Sequence, residues 1–330
     1  MVQCYVAMNC KLFAFSFVCF LLNAVSGDVN GPLTPDFQNW LNNNGYKSYD
    51  YPRTDFGAKG SFGGRQSASD KINNQPVVFI HGNSDTALTT GLSSPGWEAS
   101  ISYFLSHGYS SAELYATSWG DNSALNAASR THDCDTVIRI RKFLEAVIAY
   151  TNATKIDVIT HSMGVTLGRK AIKGGQLKTS SKTCNLGSAL TNQVDTYVGI
   201  SGANYGLCNC EGGSEYIEAT CSGVNGFWPG NSCGFNMLDC GGVMIPCGEP
   251  TYSSFLEDLN SDPNKEGTYI YSMYSLMDEV IMYECQVWGR PTPLIPGSTG
   301  QKTYATYGHY ETKSLTADDQ YNMVVNHAQF

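Results

Sequence analysis

The chain has 330 residues, 42% of them apolar and 15% charged, a composition that builds one large α/β domain or two small ones and excludes wholesale disorder. Twenty-nine acidic against 20 basic side chains leave a net charge of −9. No basic stripe is there to neutralise phosphates, which argues against nucleic acid as a partner and against electrostatic docking on anionic membranes.

At the N-terminus Lys11 precedes an apolar run, residues 12–22, too short to span a bilayer, and small residues follow at Ala24, Ser26 and Gly27. Weakly basic start, short apolar core and small-residue end make a signal peptide over residues 1–27, with residues 28–330 as the mature chain. No later segment is apolar for long enough to be a membrane helix, so the expectation is a secreted or luminal protein without a transmembrane segment.

Residues 28–75 are polar and rich in Gly and Asn, with one short amphipathic stretch, 37–41. The glycine cluster 60–64 is read as a turn-rich loop, because no strand enters it and no helix leaves it. From Pro76 strands and helices alternate. Strand signals fall at 77–80, 113–117, 156–159, 194–200 and 269–273. Helical stripes fall on Trp97, Ile101, Phe104 and Leu105; on Val137, Ile140, Leu144 and Val147; and over 163–173, with a last helix from about Thr316. Alternation with fully apolar strands predicts a mostly parallel sheet covered by helices on both faces.

The alternation breaks at about 204–252, a Gly- and Cys-rich stretch without periodicity. A long irregular segment inside a compact domain is stapled or functional. Three of the twelve cysteines fall in the leader, so nine remain, six of them between Cys208 and Cys247. In an oxidising compartment these form disulfides and leave one thiol over. Zinc is disfavoured by the lack of paired C-x-x-C knuckles. Asn152-Ala153-Thr154 is the single N-x-S/T sequon, which suits a glycoprotein.

The chemistry centres on 156–165, where a strand runs into Thr160-His161-Ser162-Met163-Gly164 and then into a helix. That context turns x-x-Ser-x-Gly into a nucleophile elbow, with Ser162 presented above the sheet edge. Thr160 departs from the pattern, which has glycine there. A serine needs a base and an oxyanion site. The backbone N–H groups of Asn83, after the strand 77–80, and of Met163, at a helix start, are the candidate donors. His81 is read as shaping that loop. In this order of elements the acid and base follow the serine. His309, in a loop before the last helix, is preferred to His327 near the C-terminus. Asp278, just beyond the strand 269–273, is the candidate acid, with Glu279 as its neighbour to exclude. Asp157 and Asp195 lie within or at the start of strands and are read as structural.

Strand–His81-Gly82, Thr160-His161-Ser162-Met163-Gly164, Gly202-Ala203-Asn204 after a strand, then Asp278 and Gly308-His309, in this order, resemble the class 2 triacylglycerol lipase family of secreted α/β-hydrolases. The likeness runs from about Pro76 to the C-terminus, apart from the Cys-rich insertion, which the compact members lack. It implies an α/β-hydrolase fold and hydrolysis of carboxylic esters of acylglycerols. By position it implies Ser162 as nucleophile, Asp278 as acid, His309 as base and Asn83 with Met163 as oxyanion donors, with no metal or organic cofactor. The alternatives are a short-chain carboxylesterase or phospholipase on this fold, or a non-catalytic binding protein. The insertion is expected at the ligand-binding edge of the sheet, and Trp228, Phe235, Met237, Leu238, Val243, Met244 and Ile245 are its candidates for an acyl-pocket wall or partial lid, the alternative being a solvent-facing loop stapled for protease resistance.

Overall fold

The computed structural model describes residues 29–234 and 248–328. The leader, together with Phe235, Met237, Leu238, Cys240, Val243, Met244, Ile245 and Cys247, lies outside them.

Seven strands form one sheet: β1 (Ser61–Phe62), β2 (Val77–Ile80), β3 (Leu114–Thr117), β4 (Ile156–His161), β5 (Val194–Ile200), β6 (Tyr269–Ser275) and β7 (Gly300–Tyr304). Their order across the sheet is β1-β3-β2-β4-β5-β6-β7. Only β1 runs antiparallel, against β3, and every other neighbouring pair is parallel. This is the α/β-hydrolase arrangement, with an antiparallel edge on an otherwise parallel sheet. Strands buried on both faces must be apolar on both. Val78, Ile80 and Val158 accordingly face one core, and Val77, Phe79 and Ile159 the other.

The first core is closed by α1 (Pro35–Asn43), α3 (Cys134–Thr151), α4 (Met163–Lys173) and α5 (Ser254–Ser261), through Phe37, Leu144, Leu167 and Leu256 among others. The second is closed by α2 (Glu98–Ser106) and α7 (Ala317–Asn326), through Ile101, Phe104, Met323 and Val324. The caps match the sequence. Thr34, Asp133 and Ser253 accept from the backbone N–H groups of Phe37, Thr136 and Leu256 at the starts of α1, α3 and α5, each worth about 1 kcal/mol.

Two sequence expectations are corrected. The glycine cluster 60–64 is not only a loop, because Ser61 and Phe62 pair with Thr117 and Ala116 as the edge strand β1. Two residues are too few for a period to register. Strand β7 was not anticipated, since its residues, Gly300 to Tyr304, are half-buried or exposed in alternation and carry no apolar run.

Between β5 and α5 the described residues form no long element. Three short 3₁₀ turns, Cys208–Cys210, Gly212–Tyr216 and Ala219–Cys221, are held by Cys208–Cys233 and Cys210–Cys221. A third disulfide, Cys134–Cys184, ties the start of α3 to a small hairpin, Gln176–Lys178 with Thr183–Asn185. Cys285 is the free thiol among the described residues, and it is buried.

Candidate active site

Strand β4 ends at His161 and α4 begins at Met163, so the turn has a single residue, Ser162, at φ 55° and ψ −130°. A non-glycine residue there is strained, and such strain persists only where the surroundings over-determine it. The surroundings here are close. The Ser162 N–H donates to the carbonyl of Ile200 at 2.8 Å, and a Cβ on Gly164 would sit 2.4 Å from the His81 carbonyl oxygen. Helix α4 can approach β2 only with glycine at that point. Thr160 is accommodated where the motif has glycine because its methyl group packs toward Gly168, whose absent side chain leaves the room. The Thr160 hydroxyl donates to the Val198 carbonyl at 2.9 Å.

The loop after β2 is fixed by a histidine. Trp119 donates its backbone N–H to His81 Nε2 at 2.9 Å and its indole N–H to the His81 carbonyl, and the two rings stack. Nε2 is therefore the acceptor, and Nδ1 carries the proton that goes to the Gly82 carbonyl at 2.7 Å. Burial pushes the His81 pKa down to about 4, so the ring stays neutral in this role. The Asn83 side chain is clamped by Arg130, which donates to its Oδ1 at 2.5 Å, and by the Ala127 carbonyl, which accepts from its Nδ2 at 3.0 Å. The backbone N–H groups of Asn83 and Met163 donate to no acceptor among the described residues.

His309 and Asp278 come together. His309 Nδ1 lies 2.8 and 2.9 Å from the two Asp278 carboxylate oxygens, and both residues are buried. Burial pushes the Asp278 carboxyl up, but the His309 hydrogen bond and charge, with the Ile281 backbone N–H, outweigh it and hold the pKa below the ordinary carboxylate value. The carboxylate accepts at Nδ1, so the lone pair of His309 sits on Nε2. Glu279 faces the backbone, accepting from the His309 N–H at 2.8 Å. A buried ion pair, Lys313 to Asp85 at 2.5 Å, ties the short helix after His309 (Glu311–Ser314, α6) to the loop that follows Asn83.

Ser162 opens on a cleft of about 340 Å³ that is also lined by Asn83 and Met163, by Ala127 and Ala128, by Val280 and Ile281 beside Asp278, and by Leu207, Glu218 and Phe227 of the Cys-rich segment. Phe227 is held by His132, whose ring packs edge-on against it and hydrogen-bonds Thr166 and the Asn225 carbonyl. Trp228, expected in the wall, does not line this cleft. Its indole N–H instead donates to the Gly212 carbonyl.

His327 sits elsewhere. Its Nε2 is 3.0 Å from Asp195 at the amino end of β5, and it stacks on Tyr269. Asp157 is buried at the same end of the sheet, accepting from Gln75 and the Thr196 N–H. His161 received no role in the sequence reading beyond its place in the motif. The structure puts its ring against His309, a contact that no local pattern could announce.

A family model for lipases of class 2 matches residues 74–322. Among curated proteins none matches this chain significantly. Among solved structures, lipase B of Aspergillus fumigatus is similar at 12% identity and a TM-score of 0.43, covering 74% of this chain and 48% of that one, so this chain spans about half its length. The monoacylglycerol lipase of Paleococcus ferrophilus is similar at 11% identity and a TM-score of 0.44, covering 82% of this chain and 98% of that one.

Proposed function

This chain belongs to the class 2 lipase family, and on that premise we propose that it is a secreted lipase that cleaves carboxylic ester bonds of acylglycerols through Ser162, His309 and Asp278. The observation that carries this reading is the buried His309–Asp278 pair at 2.8 Å, taken together with a strained Ser162 that opens on a cleft. His309 Nε2 takes the Ser162 proton as Oγ attacks the ester carbonyl carbon. The tetrahedral oxyanion is held by the Asn83 and Met163 N–H groups, and Asp278 stabilises the imidazolium. The proton then passes to the leaving alcohol, and water attacks the acyl-enzyme through the same base to release the acid. None of these steps calls for a metal.

Secretion is supported by the leader-like residues 1–27 and by three disulfides, which persist in oxidising compartments. Exposure of Asn152 at the C-cap of α3 leaves its sequon accessible to a glycan. No helix among the described residues is long and apolar enough to cross a membrane.

The test is fluorophosphonate labelling of the mature protein, with the modified peptide mapped, alongside hydrolysis of an acylglycerol and of short esters. Wild type should label at Ser162 and turn over the acylglycerol. Ser162→Ala should lose labelling and roughly 10⁶-fold in kcat, the scale seen for triad loss in a serine protease. Retention of activity within about tenfold of wild type would remove Ser162 from the role. Hydrolysis confined to acetate and butyrate esters would leave a short-chain esterase instead.

A further inference from the structure

The base is gripped at three atoms. Asp278 holds the ring of His309 at Nδ1, Glu279 accepts from its backbone N–H, and its backbone carbonyl lies 3.1 Å from His161 Nε2. A carbonyl oxygen can only accept, so His161 carries its proton on Nε2 and a bare lone pair on Nδ1. His161 is wholly buried, and its Nδ1 has no hydrogen-bond partner among the described residues. That nitrogen is turned toward Gly82, where a Cβ would come within 3.2 Å of it. Burying a ring nitrogen unpaired costs on the order of 1–3 kcal/mol, which an apolar side chain filling the same space would not incur. Among the described residues, the only hydrogen bond that the His161 ring makes is the one to His309.

We infer that His161 is a positioning residue for the base: its main chain leads directly into Ser162 while its ring holds the backbone of His309, so one residue sets nucleophile and base in register. The inference rests on the triad reading above. His161 and His309 are 148 positions apart in the chain, the one ending β4 and the other in the loop that follows β7. Their ring centroids are 4.6 Å apart, close enough for a second cation to oppose the imidazolium that forms on His309. Burial above all, with the charges of His309 and Lys313, pushes the His161 pKa well below its ordinary value, so that ring stays neutral while its neighbour cycles. A misplacement of about 1 Å between reacting groups costs roughly 100-fold. The hydrogen bond therefore acts on rate and not on substrate affinity.

The experiment compares wild type, His161→Phe, His161→Gln and His309→Ala as mature proteins, with p-nitrophenyl butyrate as substrate and fluorophosphonate titration to count competent sites. His161→Phe keeps a ring and loses the donor, and should lower kcat about 10- to 100-fold with KM within about twofold. Glutamine presents an N–H at a similar reach and should bring kcat back to within about fivefold of wild type. Wild-type kcat in His161→Phe would overturn the inference, and so would equal losses in both variants. Selective ¹⁵N-histidine NMR of the unmutated protein needs no variant to fold. It should show His161 protonated at Nε2 and bare at Nδ1, and the opposite tautomer would overturn the inference. Full activity in His309→Ala, or labelling away from Ser162, would strike the triad reading instead and be recognised as such.

Discussion

His309 and His327 contrast in their surroundings. His309 meets a buried carboxylate that accepts at Nδ1 and leaves the free lone pair on Nε2, at the carboxyl end of the strands. His327 meets Asp195 at the amino end, where the pair is partly exposed and the imidazole is stacked on Tyr269. His309→Ala should therefore match Ser162→Ala in severity, within about tenfold. His327→Ala should leave kcat/KM within about twofold and cost under about 1 kcal/mol, the usual worth of an exposed pair. Ester hydrolysis by the two variants, with a urea melt of His327→Ala, checks both, and the reverse ranking would displace His309. Ser162, Asn83 and Met163 were legible in the sequence because each sits where a strand meets a turn, and strand signals are local. His309 and Asp278 were legible only through chain order. His161 was not, because its partner is fixed by the packing of a distant loop on the end of β4, which no spacing encodes.

At the scale of elements, the Cys-rich segment reaches the cleft with Leu207, Glu218 and Phe227, while the loop after β6 supplies Val280 and Ile281 opposite. Of the bulky residues that the sequence offered for this wall only Trp228 is described, and it is Phe227, not Trp228, that lines the cleft. Trp228 and Phe227 are neighbours in sequence, and no period within a disulfide-held coil says which of them turns inward. The same blindness hid the Cys134–Cys184 disulfide, whose partners are separated by 50 positions. If the two walls hold the acyl chain, trimming both should penalise long chains more than short ones. Leu207→Ala with Val280→Ala removes apolar contact from each wall at residues that are not fully buried, so the fold should bear it. At about 0.8 kcal/mol per CH₂ left unburied, decanoate hydrolysis should fall about tenfold more than acetate hydrolysis. The ratio of kcat/KM for the two p-nitrophenyl esters reads this, and an unchanged ratio would return the segment to a purely stabilising part.

For the whole molecule, buried neutral histidines decide how stability follows pH. Burial pushes His81 down to about 4, His132 down to about 3, and His161 well below its ordinary value. Each contributes stability that is complete above the unfolded value near 6.5 and is lost as pH falls below it, because the unfolded chain takes up protons that the folded one refuses. Asp157 works in the opposite sense. Burial pushes its carboxyl up to about 7, so its favourable contribution is present below the unfolded value near 3.9 and fades as pH rises toward 7. Between about pH 4 and 6.5 three histidines act against one aspartate, and stability should rise with pH by about 2 kcal/mol per unit. Thermal melts at pH 5, 6 and 7 should show Tm climbing over this range, and a flat or falling Tm would mean that these histidines are charged in the folded protein. Asp157→Asn isolates the opposing contribution. Asparagine keeps an oxygen to accept from Gln75 and the Thr196 N–H and cannot ionise. Its stability advantage over wild type should grow from pH 4 to about pH 7 and stay level above that. A difference in Tm that does not change with pH would show that Asp157 is ionised in the folded state throughout.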